Sequence, residues 1–201
     1  MIIAFDTSTR RTGWIRGLPS GPVEFGSFGM REAVQGNIGR LLTEWAAEAW
    51  PLIQGCTNVY FEAPIIPRHG NASSLRPLWA LTSHLEFLAH HAGADCAEVD
   101  NQSHKKLLYG HGGAKPLNAV EYATAWGLPV RNNDEADACG VFLYALRSEF
   151  PDAFQGWLTI RGQSGLVTRQ APPKQPPKKG GKARGAKKRV RANRGPSLGL
   201  F

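Results

Sequence analysis

Hydrophobic and polar positions divide the first 150 residues into short apolar runs and longer stretches of helical spacing. Met1–Asp6 is β-rich and reads as a first strand. Thr12–Leu18 and Glu24–Met30 read as two more, separated by the Pro/Gly turn at Pro19-Ser20-Gly21-Pro22. Three strands in quick succession predict an antiparallel meander. Asn37–Ile53 repeats Ile38, Leu41, Leu42, Trp45, Ala46 and Ala49 at helical spacing. Asn58–Glu62 predicts a short strand halted by Ala63-Pro64. Ser73–His91 predicts a helix with Leu75, Leu78, Trp79, Leu81, Leu85 and Leu88 as its stripe, which suits core packing or a dimer face. Ala94–Val99 follows as a strand. Ser103–Tyr109 and Leu117–Trp126 read as helices split by Gly110-His111-Gly112-Gly113, and Asp134–Phe150 as the long final helix. A meander followed by β/α alternation predicts an α/β fold with a mixed sheet.

Composition narrows the class. With 42% hydrophobic residues in 201, the chain can build one sizeable core. No apolar run approaches ~18 residues, and Asp6 interrupts an N-terminus that lacks a basic leader. Neither a membrane span nor a secretory signal is therefore expected. Cys56, Cys96 and Cys139 lie too far apart for a metal clip and form no disulfide framework, so a reducing cytoplasm is the expected compartment.

The net charge of +8 conceals a division. Met1–Thr168 carries 13 Lys+Arg against 16 Asp+Glu, whereas Arg169–Phe201 carries 11 Lys+Arg and no acid. The reading is of a folded domain at 1–150, a connecting segment at 151–168 and a Lys/Arg/Pro/Gly-rich tail at 169–201. Such a tail buries too little apolar surface to offset its ordering entropy and is expected to be disordered. Its clusters, among them Lys178, Lys179, Lys187, Lys188 and Arg189, suit a polyanion bound through counterion release. A purely solubilising tail is the plainer alternative.

Four carboxylates sit where elements end or begin. Asp6 closes the first strand and Glu62 the fourth, while Asp134 and Asp137 stand three apart at the start of the last helix. Asp6 is also compatible with a turn, and Asp134 with a helix N-cap. Glu62 in a VYFEAP strand is harder to explain structurally. Sequential strands tend to be neighbours, so Asp6 and Glu62 are expected side by side. Two unit charges ~5 Å apart at an effective dielectric of ~20 repel by roughly 3 kcal/mol. Four converging carboxylates therefore call for a cation, and all-oxygen ligands suit Mg²⁺ or Mn²⁺. Two such ions are the apparatus of phosphodiester hydrolysis.

IIAFDTSTRRTGW, VYFEAP, KKLLYGHGGAK and NNDEADACGVFLYAL occur in the order seen in RuvC-type Holliday junction resolvases, and the phage-type members resemble this chain most. The resemblance runs from Ile2 to Leu146. It implies a ribonuclease H-like fold with a five-stranded mixed sheet flanked by helices. It also implies a homodimer cutting branched DNA in a bacterial or phage-infected cytoplasm, leaving 5′-phosphate and 3′-hydroxyl ends. Asp6, Glu62, Asp134 and Asp137 match the family's catalytic, metal-binding acids, and Lys105 its basic residue before the Gly-x-Gly turn. Lys115 is the nearest counterpart of the second lysine, with Pro116 at the matching position. Lys106 and Arg68 are further candidate DNA contacts. Where bacterial members carry an aromatic wedge, this chain reads Ala63-Pro64-Ile65-Ile66-Pro67-Arg68-His69.

Two other classes compete. A non-catalytic DNA-binding scaffold would retain the acids as caps and turns and bind through the tail. An actin-like ATP-binding protein or a tRNA-modification partner also begins with a strand ending in DTST, but needs a later Asp-x-Gly that this chain lacks. The histidines form no HxxxH or HExxH pattern, and His104 reads as a solvated surface residue beside Lys105.

Overall fold

The computed structural model describes residues 1–31, 36–64, 72–110 and 119–163, without the side chains of 72–74 and 160–163. Its sheet is ordered β3-β2-β1-β4-β5, from β1 (Ile2–Asp6), β2 (Arg11–Gly17), β3 (Val23–Gly29), β4 (Asn58–Glu62) and β5 (Asp95–Val99). The first three strands form the expected antiparallel meander, while β4 pairs parallel to β1 and β5 parallel to β4. Helices α1 (Ile38–Ile53) and α2 (Ala72–His91) enter between the strands. Helices α3 (Asn101–Tyr109), α4 (Ala119–Ala125), α5 (Asn133–Glu149) and α6 (Pro151–Gln163) follow β5. The architecture is the mixed α/β fold that the patterning predicts.

Strand parity separates two cores. Ile2, Ala4 and Tyr60 point to one face and pack with residues of α3 to α6, including Leu108, Ala136, Cys139 and Phe142. Ile3, Phe5, Val59 and Phe61 point to the other and pack with Leu41 and Trp45 of α1 and Leu81 and Leu85 of α2. β1 and β4 are thus covered on both faces, which is why they read as continuous apolar runs rather than alternations. By the same period of two, Asp6 and Glu62 fall on the α5 side of the sheet.

Caps and glycines delimit the helices around this centre. Asn37 accepts from Arg40 N at 3.1 Å to start α1. Asp100 accepts from Ser103 N at 2.9 Å to start α3, which Gly110 stops at φ 85°. The chain after Asp134–Phe150 departs from the sequence reading: residues 151–163 form α6. Pro151 suits a first helical turn, and Phe154 and Trp157, one turn apart, are buried against the body. Trp157 stacks on Trp126 at 6.1 Å between centroids. Among the described residues, no helix is long and apolar enough to cross a membrane.

Candidate active site

Register places the carboxylates. Phe5 pairs with Phe61 across the parallel β1–β4 ladder, so Asp6 and Glu62 leave the sheet side by side at the same end. Ala63 N donates to Val99 O at 2.9 Å, holding the backbone just after Glu62. The turn after Asp6 is tied down by Thr12, whose hydroxyl donates to Ser8 O and accepts from the Trp45 indole at 2.9 Å.

Helix α5 brings the other two acids. Its N-cap is Asn132, which accepts from Glu135 N at 3.0 Å. Asp134 is therefore not the cap, as its position in the sequence also allowed, and its carboxylate is free for the site. The helix comes down onto the sheet over Gly13, the partner of Asp6 in β2. A Cβ at Gly13 would overlap the Asp134 carbonyl and reach within 2.8 Å of Glu135 N. Only glycine leaves room for α5 to lie this close to Asp6.

Electrostatics report the convergence. Burial, followed by the charges of Glu62 and Asp137, a hydrogen bond to Glu62 and the charge of Asp134, holds the Asp6 carboxyl well above the ordinary carboxylate range. Burial also raises Glu62, against the opposing pull of Lys105 and the hydrogen bond from Asp6. Burial raises Asp137 against the Tyr109 hydrogen bond and the Lys105 charge. Asp134 is raised by burial and Asp137, with Arg11 opposing. Crowded, buried carboxylates shift upward in this way because each disfavours the charge of the next. A cavity of about 130 Å³ opens here, lined by Asp6, Thr7, Glu62, Ala63, Pro64 and Leu78.

Lys105 stands in the same cluster, its Nζ 3.3 Å from Glu62 Oε1 and 3.1 Å from Asn101 Oδ1. Lys106 is exposed and lines a different surface, with Arg147. Arg68, Lys115, Lys178, Lys179, Lys187, Lys188 and Arg189 lie outside the described residues.

Three residues around the site escape the sequence reading. The Tyr109 hydroxyl donates to Asp137 Oδ1 at 2.5 Å from a buried position. Glu135, between the two site acids, is fully buried and structural. It accepts from Arg131 N at 2.8 Å, Arg131 Nη2 at 2.9 Å and Ser27 Oγ at 3.2 Å, so despite burial its carboxyl titrates below the ordinary range. His104, expected at the surface, is instead buried against α5, where Gly140 leaves space for its ring. Burial and the Lys105 charge lower it to about 4, against the pull of the Asp100 carbonyl, so it is neutral at pH 7. Its Nε2 lies 4.0 Å from Glu62 Oε1. The helical spacing of His104, Leu108 and Tyr109 was the available signal for that face.

Among the described residues, no group of three or more His, Cys, Asp or Glu side chains is arranged as a finished metal site. Asp6 and Glu62 are turned to each other and Asp137 to Tyr109. The donor chemistry nevertheless fits a hard divalent cation: all four groups are carboxylates, and each is raised above its ordinary range.

No family model matches the chain, and neither does any curated protein. Among solved structures, a Thermus thermophilus RuvC structure aligns over 75% of this chain and 96% of its own, at 14% identity and a TM-score of 0.55. T. thermophilus RuvC in complex with Holliday junction substrate aligns over 77% of this chain and 96% of its own, at 15% identity and a TM-score of 0.58. The fold is RuvC-like, of the ribonuclease H-like class expected from the motifs.

Proposed function

We propose that the chain is a metal-dependent endonuclease acting on branched DNA such as a Holliday junction. The observation that carries this reading is the meeting of Asp6 and Glu62, from adjacent parallel strands, with Asp134 and Asp137 of α5 in one electrostatically strained cluster. The likeness in fold to RuvC, one structure of which holds a Holliday junction substrate, supports the substrate class.

Asp6, Glu62, Asp134 and Asp137 are the residues that would hold Mg²⁺ or Mn²⁺. Bound there, one or two such ions supply the positive charge that offsets the phosphodiester's own and lowers the pKa of water. The protein does the rest. Tyr109 fixes the rotamer of Asp137, and Gly13 sets the distance of α5 from Asp6. Lys105, held by Glu62 in the free protein, is positioned to exchange that carboxylate for a DNA phosphate oxygen. Asp134, on the first turn of α5, is the acid placed to accept a proton from attacking water. A homodimer places two such sites on one junction, and the exposed Trp79 and Phe87 of α2 offer an apolar surface for it.

The test is cleavage of a synthetic four-way junction with Mg²⁺. Wild type is expected to cut and Asp6→Asn to lose at least about a thousandfold in rate. An Asp6→Asn protein of wild-type activity refutes the scheme.

A further inference from the structure

We propose that the groove between α3 and the last turns of α5 is a second phosphate-backbone site, gripping a DNA arm away from the carboxylate cluster. The proposal rests on the nuclease reading. The groove has a volume of about 440 Å³, and its lining includes Ser103, Lys106, Gly110, Tyr144, Arg147 and Ser148. Two cations from different helices line it with the three hydroxyls of Ser103, Tyr144 and Ser148, and among the described residues no Asp or Glu lines it.

Four of the described basic side chains pair with acids: Arg16 with Glu24, Arg40 with Glu44, Lys105 with Glu62 and Arg131 with Glu135. Among the described residues, the Lys106 and Arg147 side chains form no ion pair or hydrogen bond. Two unmatched cations lining one concavity repel until an anion enters, and hydroxyls add neutral donors to phosphate oxygens. Lys106, Gly110, Arg147 and Ser148 are all exposed, so the surface admits a continuous backbone rather than enclosing a small molecule.

The position along α5 sets which phosphate is held. Arg147 follows Asp137 on one helix by about 15 Å at 1.5 Å per residue. A strand rising about 3.4 Å per nucleotide covers that span in four to five nucleotides. The gripped phosphate therefore lies about four to five nucleotides from the cut.

The experiment compares the full chain with a Lys106→Ala/Arg147→Ala double variant, binding a four-way junction in EDTA across a salt series. The variant is expected to bind roughly tenfold more weakly at 0.15 M salt, with a log–log salt slope flatter by about 1.8, the equivalent of two phosphate contacts. A Lys106→Arg/Arg147→Lys variant retains the charges and is expected to keep the slope, which separates lost contacts from lost folding. A neutral methylphosphonate four or five nucleotides from the cut should weaken wild type and leave the alanine variant unaffected. Equal slopes for wild type and the alanine variant, or equal penalties from the methylphosphonate, overturn the proposal. Failure of the wild type to cut with Mg²⁺ while binding normally overturns the nuclease reading instead, with the groove still judged by its slope. A wild type without DNA affinity overturns both.

Discussion

Tyr109 lies edge-on to Tyr122, with ring centroids 5.3 Å apart, and spends its hydroxyl on Asp137. A carboxylate held by a rigid buried donor keeps one rotamer, so Tyr109→Phe is expected to leave the fold intact and free Asp137. Half-saturation by Mn²⁺, measured by calorimetry, should rise about threefold to tenfold, consistent with one lost charge-assisted hydrogen bond of about 1 kcal/mol. Unchanged Mn²⁺ affinity would assign Tyr109 to packing alone. The raised acids also predict how stability depends on pH. Asp6, Glu62, Asp134 and Asp137 bind protons more tightly folded than unfolded. Their contribution is complete below the ordinary carboxylate range and is lost as the pH rises through the raised values. In EDTA, Asp6→Asn should therefore melt higher than wild type at pH 8, on the order of 5 °C, with the gap closing at low pH. A gap independent of pH contradicts mutual repulsion. Glu135 runs oppositely: its lowered carboxyl stabilises at neutral pH and loses that effect under acid.

Helix α5 and strand β2 make the site possible as elements. They touch where Gly13 faces the backbone of Asp134, and the same first turn is locked to β3 through Asn132, Ser27 and Glu135. Gly13→Ala must lift this end of α5 or bend β2. Since a displacement of about 1 Å can cost 10²-fold in rate, cleavage should fall by about that factor while DNA binding, measured in EDTA, changes by less than threefold. Equal loss of both would indicate a general folding defect. Within the DEADA segment Asp134 and Asp137 thus face the carboxylate cluster, whereas the buried Glu135 anchors the turn. Spacing marks Asp134 and Asp137 as one face in the sequence, and the direction each side chain leaves the helix sends Glu135 elsewhere.

For the whole molecule, α2 is the element that faces both the core and the outside. Along α2, Leu81, Leu85 and Leu88 are buried, whereas Phe87 is 61% and Trp79 45% exposed. The stripe read from the sequence as core or dimer face is therefore divided between buried leucines and outward aromatics. Phe87 stacks between His84 and His91 at about 6 Å, a flat aromatic surface on the outside of the fold. If that surface joins two copies, Phe87→Asp should halve the mass measured by light scattering without lowering the melting temperature. A dimer that survives the change places the interface elsewhere.

The order and type of the elements were legible in the chain because strand and helix periodicities, caps and turns are local properties. Asp6, Glu62, Asp134 and Asp137 stood out for a related reason: charges at the ends of apolar elements are conspicuous. Helix α6 escaped because Phe154 and Trp157 signal burial only once the surface awaiting them is known. The close approach of α5 to Asp6 over Gly13, the retreat of His104 from solvent and the tether from Tyr109 to Asp137 belonged to the tertiary structure alone. Each depends on which face a side chain occupies after packing, and on distances between residues far apart along the chain that no local pattern encodes.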